Sequence, residues 1–268
     1  MSSPYLLEVE AQGRRLQLQV QQWQPRTARP GPTLVLLHEA LGNLSLWRHF
    51  PAELAEATGL PVIAYCREGY GESSPLSGPR SDDYLVEQGR DWLPALLARL
   101  ELDKVILLGH SDGGSIALVG AACCPERILA IVTLAAHIYV DPLTTQGIEQ
   151  AVERYQQQDL AIRLARYHGE RTDPLFRAWA ETWLRPSYQQ LNLRPWLKQI
   201  RCPALIMQGE EDAYGLPSQV LDIVHGIGEQ AEARFLPACG HSPHLEQAEA
   251  VIAAIQHWLE PLLPLTTP

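Results

Sequence analysis

Leu107-Leu108-Gly109-His110-Ser111-Asp112-Gly113-Gly114 is the stretch on which the fold turns. It sets G-x-S-x-G where a buried strand predicted over Lys104 to Leu108 must pass abruptly into a helix predicted over Asp112 to Ala122. A serine at such a turn needs small neighbours at both glycine positions, because the backbone there is strained and closely approached. The helix N-terminus also points at any negative charge that develops beside it. The bare pattern is weak; the strand before it and the helix after it give it meaning.

Working outward, strands and helices alternate. Thr33 to His38 is a continuous apolar run, as expected of a strand buried on both faces, and a predicted helix Trp47 to Thr58, strand Pro61 to Cys66 and helix Asp83 to Leu100 follow. Beyond the central motif comes strand Leu129 to Ala135. This order implies a parallel sheet wound by right-handed crossovers. Leu85, Trp92, Leu93, Leu96 and Leu97 give the helix ending at Leu100 one apolar face. Tyr5 to Val9 and Leu16 to Val20 read as an edge hairpin. After Ala136 the pattern changes: helical stretches Ile148 to Gln158, Leu160 to His168 and Leu175 to Trp183 occur without a convincing strand. The sheet resumes at Ala204 to Gln208 and Ala233 to Leu236, and a helix carrying Val251, Ile252, Ile255 and Leu259 closes the chain. The expected organisation is a core formed by residues 1–140 and 195–268, with a helical cap inserted at 141–194.

A serine hydroxyl is a poor nucleophile at neutral pH; it needs a base, and the base needs an orienting carboxylate. Both candidates follow strand ends, the edge where open α/β sheets bind ligands. Ala204 to Gln208 runs into Gly209-Glu210-Glu211-Asp212, and Ala233 to Leu236 runs into Pro237-Ala238-Cys239-Gly240-His241. Asp212 is the preferred acid, with Glu210, Glu211 and Asp141 as alternatives. His241 is the preferred base, with His244 as its competitor.

At this point the chain resembles the α/β-hydrolase superfamily along nearly its whole length. Leu37-His38, Arg67-Glu68-Gly69-Tyr70-Gly71-Glu72-Ser73, the turn at Ser111 and Gly240-His241-Ser242-Pro243 are the four separated signatures. More narrowly, His38-Glu39-Ala40-Leu41-Gly42 and Gly109-His110-Ser111-Asp112-Gly113-Gly114 are similar to a bacterial subgroup labelled only as hydrolases, which fixes no substrate. The resemblance implies an α/β-hydrolase fold with helices on both faces of a mostly parallel sheet, and a Ser111, Asp212, His241 triad. It also implies an oxyanion hole made by the backbone N–H groups of Ala40 and Asp112. The chain departs from the family beside the first donor, where His-Gly is usual and His38-Glu39 stands instead.

The implied function is that of a serine hydrolase cleaving a small carboxylic ester, thioester or lactone through an acyl-enzyme. Alternatives are carbon–carbon bond hydrolysis next to a ketone, and ligand binding without catalysis on the same fold. Serine at position 111 argues against the epoxide hydrolases and haloalkane dehalogenases of the superfamily, whose nucleophile is aspartate. Glu39, His110, Tyr139 and Trp183 are candidates for the pocket wall. Glu39 also reads as a loop carboxylate paired with Arg48 or Arg67, while His38 and His110 read as hydrogen-bonding supports for the loops. Trp179 and Trp183 read first as cap packing.

Composition narrows the partners. With 268 residues, 46% of them hydrophobic, the chain is long enough for one large core. Acidic residues outnumber basic ones 31 to 21, giving a formal charge of -10 that offers no attraction to nucleic acid or anionic lipid. Five cysteines without CxxC spacing read as free core thiols, no HxH or HExxH spacing suggests a metal, and no Gly-rich phosphate loop suggests a nucleotide. The expectation is a cofactor-free enzyme acting on a small molecule, located in the cytoplasm, since the N-terminus does not resemble a secretory signal.

Overall fold

The structure is a computed structural model and describes residues 2–264. Two antiparallel strands, β1 (Tyr5–Ala11) and β2 (Arg14–Trp23), form the expected edge hairpin, each longer than the sequence suggested. Then come β3 (Thr33–Leu37), α1 (Phe50–Thr58) and β4 (Val62–Tyr65). The helix expected from Trp47 begins instead as a 3₁₀ turn, Leu44–Trp47, and Arg48 at φ 52° separates it from α1.

The long helix expected over Asp83 to Leu100 is two α-helical pieces, α2 (Tyr84–Glu87) and α3 (Leu93–Arg99), joined by a π turn at Gln88–Trp92. Pro94 has no N–H to return to the carbonyl four residues back, and the backbone widens just before it. Next come β5 (Val105–His110), α4 (Asp112–Cys123) and β6 (Ile128–Leu134). From β6 to the next strand the chain is helical: α5 (Pro142–Gln157), α6 (Leu160–His168), α7 (Thr172–Trp183) and α8 (Arg194–Leu197). β7 (Ala204–Gly209), α9 (Pro217–Ile227), β8 (Ala231–Leu236), α10 (Pro243–Glu246) and α11 (Ala248–Leu259) complete the fold. The sequence reading did not anticipate α9, although Val220, Ile223 and Ile227 share the face it buries.

The sheet order is β1-β2-β4-β3-β5-β6-β7-β8, parallel from β4 onward. Alternation along each buried strand feeds two cores: Val35, Leu37 and Leu107 pack with α3 and α4 on one face, and Leu34, Leu36, Ile106 and Leu108 with α1 and α11 on the other. Register then aligns the strand ends. Leu37 lies opposite Gly109, His110 opposite Leu134 and Gly209 opposite Leu236. The loops holding Ala40, Ser111, Asp212 and His241 therefore emerge together at the carboxyl edge, beneath the helical insertion. All five cysteines are free thiols, four of them buried. No helix among the described residues is long and apolar enough to cross a membrane.

Candidate active site

Ser111 sits at φ 53°, ψ -117°, a left-handed conformation that L residues resist, with α4 beginning at the next residue. Two glycines make this turn possible. A Cβ on Gly109 would lie 2.1 Å from the Gly113 carbonyl oxygen, and one on Gly113 would lie 1.9 Å from that of Leu37. Only residues without a side chain let the turn close on itself and on β3.

Asp212 is buried, and its Oδ1 accepts from His241 Nδ1 at 2.8 Å and from the Tyr214 N–H at 2.8 Å. Glu210 and Glu211, the alternative acids, are exposed. Asp141, the other alternative, instead caps α5, accepting from Thr144 N–H at 2.9 Å and from Leu216 N–H and Gln219. His244 is buried against Trp47 and Phe50, and among the described residues no carboxylate bonds its ring. Burial acts to lower the His241 pKa, but the charge and hydrogen bond of Asp212 outweigh it and the net shift is upward. Asp212 moves down, since its coupling to His241 overcomes the opposing effect of burial. With Nδ1–H engaged by Asp212, His241 carries its lone pair on Nε2. Ser111 and His241 line the same cavity without a hydrogen bond between Oγ and Nε2; such bonds commonly tighten only around substrate.

The cavity has a volume of about 220 Å³, and of the candidate wall residues Glu39, His110 and Trp183 line it. Tyr139 does not. Its hydroxyl donates to Ser218 at 3.0 Å, Arg194 stacks 4.2 Å above its ring, and a backbone bridge to Asn192 holds it on the side of α8 and α9. Trp179 and Trp183, read first as cap packing, are buried and also form cavity wall. The sequence reading missed His137, Thr144, Ile148 and Tyr214. His137 follows the end of β6 and Tyr214 follows Asp212 by two residues, so the strand-end rule that located the triad candidates applied to them as well.

The expected arginine partner of Glu39 is also corrected. Arg48 is exposed, and Arg67 directs its terminal nitrogens to the His38 and Glu39 carbonyls instead of the Glu39 carboxylate. The carboxylate's partner is His110, whose Nδ1 lies 3.4 Å from Oε2. His110 Nε2 is 2.7 Å from the His241 carbonyl oxygen, which only accepts, so Nε2 carries a hydrogen. The ring's other nitrogen, Nδ1, is the atom turned toward the Glu39 carboxylate. Burial tends to raise the Glu39 pKa, but His110, then His244 and His38, hold it well below the usual carboxylate range.

Glu39→Gln is thus expected to cost about 1 kcal/mol of stability near neutral pH while leaving kcat within about threefold of wild type. A depressed folded-state pKa adds stability above the ordinary carboxylate range and loses it as pH falls through the folded value. The difference between variant and wild type should therefore shrink in acid, which denaturation curves across pH will show. A drop of orders of magnitude in kcat with unchanged stability would place Glu39 in the chemistry instead. Among the described residues, no group of three or more His, Cys, Asp or Glu side chains is arranged to hold a metal ion.

Residues 34–254 match the alpha/beta hydrolase family. Among curated proteins, the chain is similar to the serine hydrolase BPHL of Homo sapiens, 30% identical over 197 residues, covering 70% of this chain and 65% of the human protein. It thus spans just under two thirds of that relative's length. It is also similar to the 2-hydroxy-6-oxononadienedioate/2-hydroxy-6-oxononatrienedioate hydrolase of Escherichia coli, 26% identical over 256 residues and covering 85% and 86% of the two chains. A thermophilic esterase from Thermogutta terrifontis shares the fold, with a TM-score of 0.74 at 20% identity across 98% of this chain and 100% of that one.

Proposed function

We propose, from the premise that this chain belongs to the alpha/beta hydrolase family, that it is a serine hydrolase cleaving a compact ester, thioester or lactone. The observation that carries the proposal is the 2.8 Å bond from half-buried His241 to buried Asp212, opening onto the cavity that Ser111 enters from its strained turn.

In this reading Ser111 Oγ attacks the acyl carbon while His241 Nε2 takes its proton. Asp212 fixes the ring and stabilises the imidazolium that forms. The tetrahedral oxyanion accepts from the backbone N–H groups of Ala40 and Asp112, the second at the start of the 12-residue α4, whose dipole favours negative charge there. His241 then protonates the departing alcohol or thiol. In the second half His241 takes a proton from water, the hydroxide adds to the acyl-enzyme, and the carboxylic acid leaves as Ser111 regains its proton.

One feature favours acyl transfer on a small substrate. A cavity of about 220 Å³ suits a compact group more than a long lipid chain. Its two acidic lining residues, Glu39 and Asp112, already face His110 and Arg67, and no lysine or arginine lines the cavity itself among the described residues.

The test measures kcat/KM for short and long acyl esters and a vinylogous diketone carboxylate, together with mass spectrometry of the protein after a fluorophosphonate probe. Turnover of short esters and one adduct on Ser111 are expected. A diketone efficiency hundreds of times above every ester would move the protein to carbon–carbon bond hydrolysis, and a stoichiometric burst without turnover would make it a binding protein.

A further inference from the structure

The Arg67-Glu68-Gly69-Tyr70 segment was singled out in the sequence but has no part in the chemistry above. Arg67 is 4% exposed, a guanidinium buried immediately after β4. One terminal nitrogen donates to the His38 carbonyl and the other to the Glu39 carbonyl at 2.9 Å. Its backbone N–H donates to His38 Nε2 at 3.2 Å, which leaves His38 Nδ1–H to reach the Glu39 carbonyl at 2.7 Å. The Tyr70 hydroxyl donates to the next carbonyl, that of Ala40, and itself accepts from Arg80. From the helical insertion, His168 Nε2 holds the Leu41 carbonyl at 2.8 Å. Four consecutive carbonyls of the loop after β3 are thus each held by a side chain.

A trans peptide is planar, with its C=O and the following N–H pointing in opposite directions. Fixing the Glu39 carbonyl against Arg67 and His38 therefore turns the Ala40 N–H the other way, toward the cavity that Ala40 lines. Among the described residues no acceptor takes that N–H. Arg67 also stands 3.7 Å from the buried Asp112 carboxylate, which Tyr84 holds at 2.8 Å, and Trp183 Nε1 donates to the Tyr84 hydroxyl at 2.9 Å. One guanidinium is therefore linked to both residues whose N–H groups would bind the oxyanion.

We propose that Arg67 and Tyr70 are positioning residues for the oxyanion hole, Arg67 setting the Ala40 N–H against the Asp112 side and Tyr70 locking the following peptide. The proposal rests on the serine hydrolase reading above, with Ala40 and Asp112 as donors. It accounts for an arginine at position 67: a rigid planar fork holds two adjacent carbonyls in one orientation, whereas a lysine ammonium on a flexible stem cannot. It also accounts for Glu39 where the family usually has glycine, because the loop is held through its carbonyls and the Glu39 side chain is free to turn to His110.

The experiment uses the full chain and two variants, Arg67→Lys and Tyr70→Phe, the second nearly isosteric. A misplacement of about 1 Å in a catalytic group is worth roughly 100-fold in rate. Accordingly kcat on a short activated ester should fall roughly 10- to 100-fold in Arg67→Lys and about 10-fold in Tyr70→Phe, with KM within about threefold of wild type. A short alkyl boronic acid, whose tetrahedral adduct on serine resembles the oxyanion intermediate, should lose affinity in proportion to kcat. If both variants turn over within about threefold of wild type, the proposal is overturned. It is equally overturned if KM alone changes, or if kcat falls while boronate affinity holds. Should Arg67→Lys lose its cooperative thermal transition, Tyr70→Phe decides. Failure of the serine reading is separate: wild-type protein would then show no fluorophosphonate adduct on Ser111.

Discussion

Ser111→Ala is expected to lower ester turnover by roughly five to six orders of magnitude, the scale seen when a serine nucleophile is deleted from an otherwise intact triad. What remains is the modest acceleration from a preformed oxyanion site and substrate binding. The fold should survive. Ser111 Oγ makes no hydrogen bond among the described residues, and alanine can occupy the same turn, so stability should stay within about 1 kcal/mol of wild type. Ser111→Gly sharpens the test: glycine enters φ 53° without strain, so this variant should be equally inactive but more stable by about 1 kcal/mol. Steady-state rates, with denaturation curves for all three proteins, provide the check. Turnover by Ser111→Ala near the wild-type rate would show that another group carries the reaction.

For Asp212→Asn a loss of about 10⁴-fold in kcat is expected, because an amide donating to Nδ1 would leave the His241 hydrogen on Nε2, the wrong tautomer for a base. Glu210→Gln and Glu211→Gln are the controls. Both side chains are exposed and neither bonds His241, so each should retain rates within about twofold of wild type. If either control is the more damaging change, the acid has been misassigned. The pH profile carries the same information. Protonated His241 cannot accept the serine proton, so activity falls as pH drops through its pKa, which the Asp212 charge lifts above the ordinary value near 6.5. In Asp212→Asn that lift disappears, and burial, which acts downward, should move the acid limb below the wild-type one.

Stability follows by linkage. The raised His241 pKa contributes stability fully present below about 6.5 and lost as pH rises through the folded value. The lowered Asp212 pKa contributes stability present above about 4 and lost as pH falls through its folded value. The pair is therefore most stabilising between these limits, and the difference between wild type and Asp212→Asn should peak there.

The parallel core was legible because its strands are unbroken apolar runs and its helices carry apolar stripes; β3 and β5 to β7 fall within a few residues of where periodicity puts them. Boundaries were less so. The break at Gln88–Trp92 and the 3₁₀ start before α1 depend on a proline's missing N–H and on one left-handed residue, which a count of apolar spacing does not register. The amphipathic pattern of α9 was present but lay between two loops read for chemistry.

By itself the sequence determined the candidates whose placement is local: a serine between glycines at a strand-to-helix turn, and an acid and a histidine each a few residues beyond a strand end. Those positions follow from chain connectivity, since β5, β7 and β8 must all release their loops at one edge of a parallel sheet. The partners across loops were decided only by tertiary structure. Which of Glu210, Glu211 and Asp212 turns inward, why Glu39 meets His110 and not an arginine, why Tyr139 leaves the cavity, and how Arg67 comes to hold the Ala40 loop all depend on contacts between distant segments. The Arg67 side chain reaches carbonyls 28 and 29 residues back, and the His110 ring reaches a carbonyl 131 residues on. No spacing rule encodes such pairings, because hydrogen-bond direction and burial become defined only once the loops pack on one another at the sheet's edge.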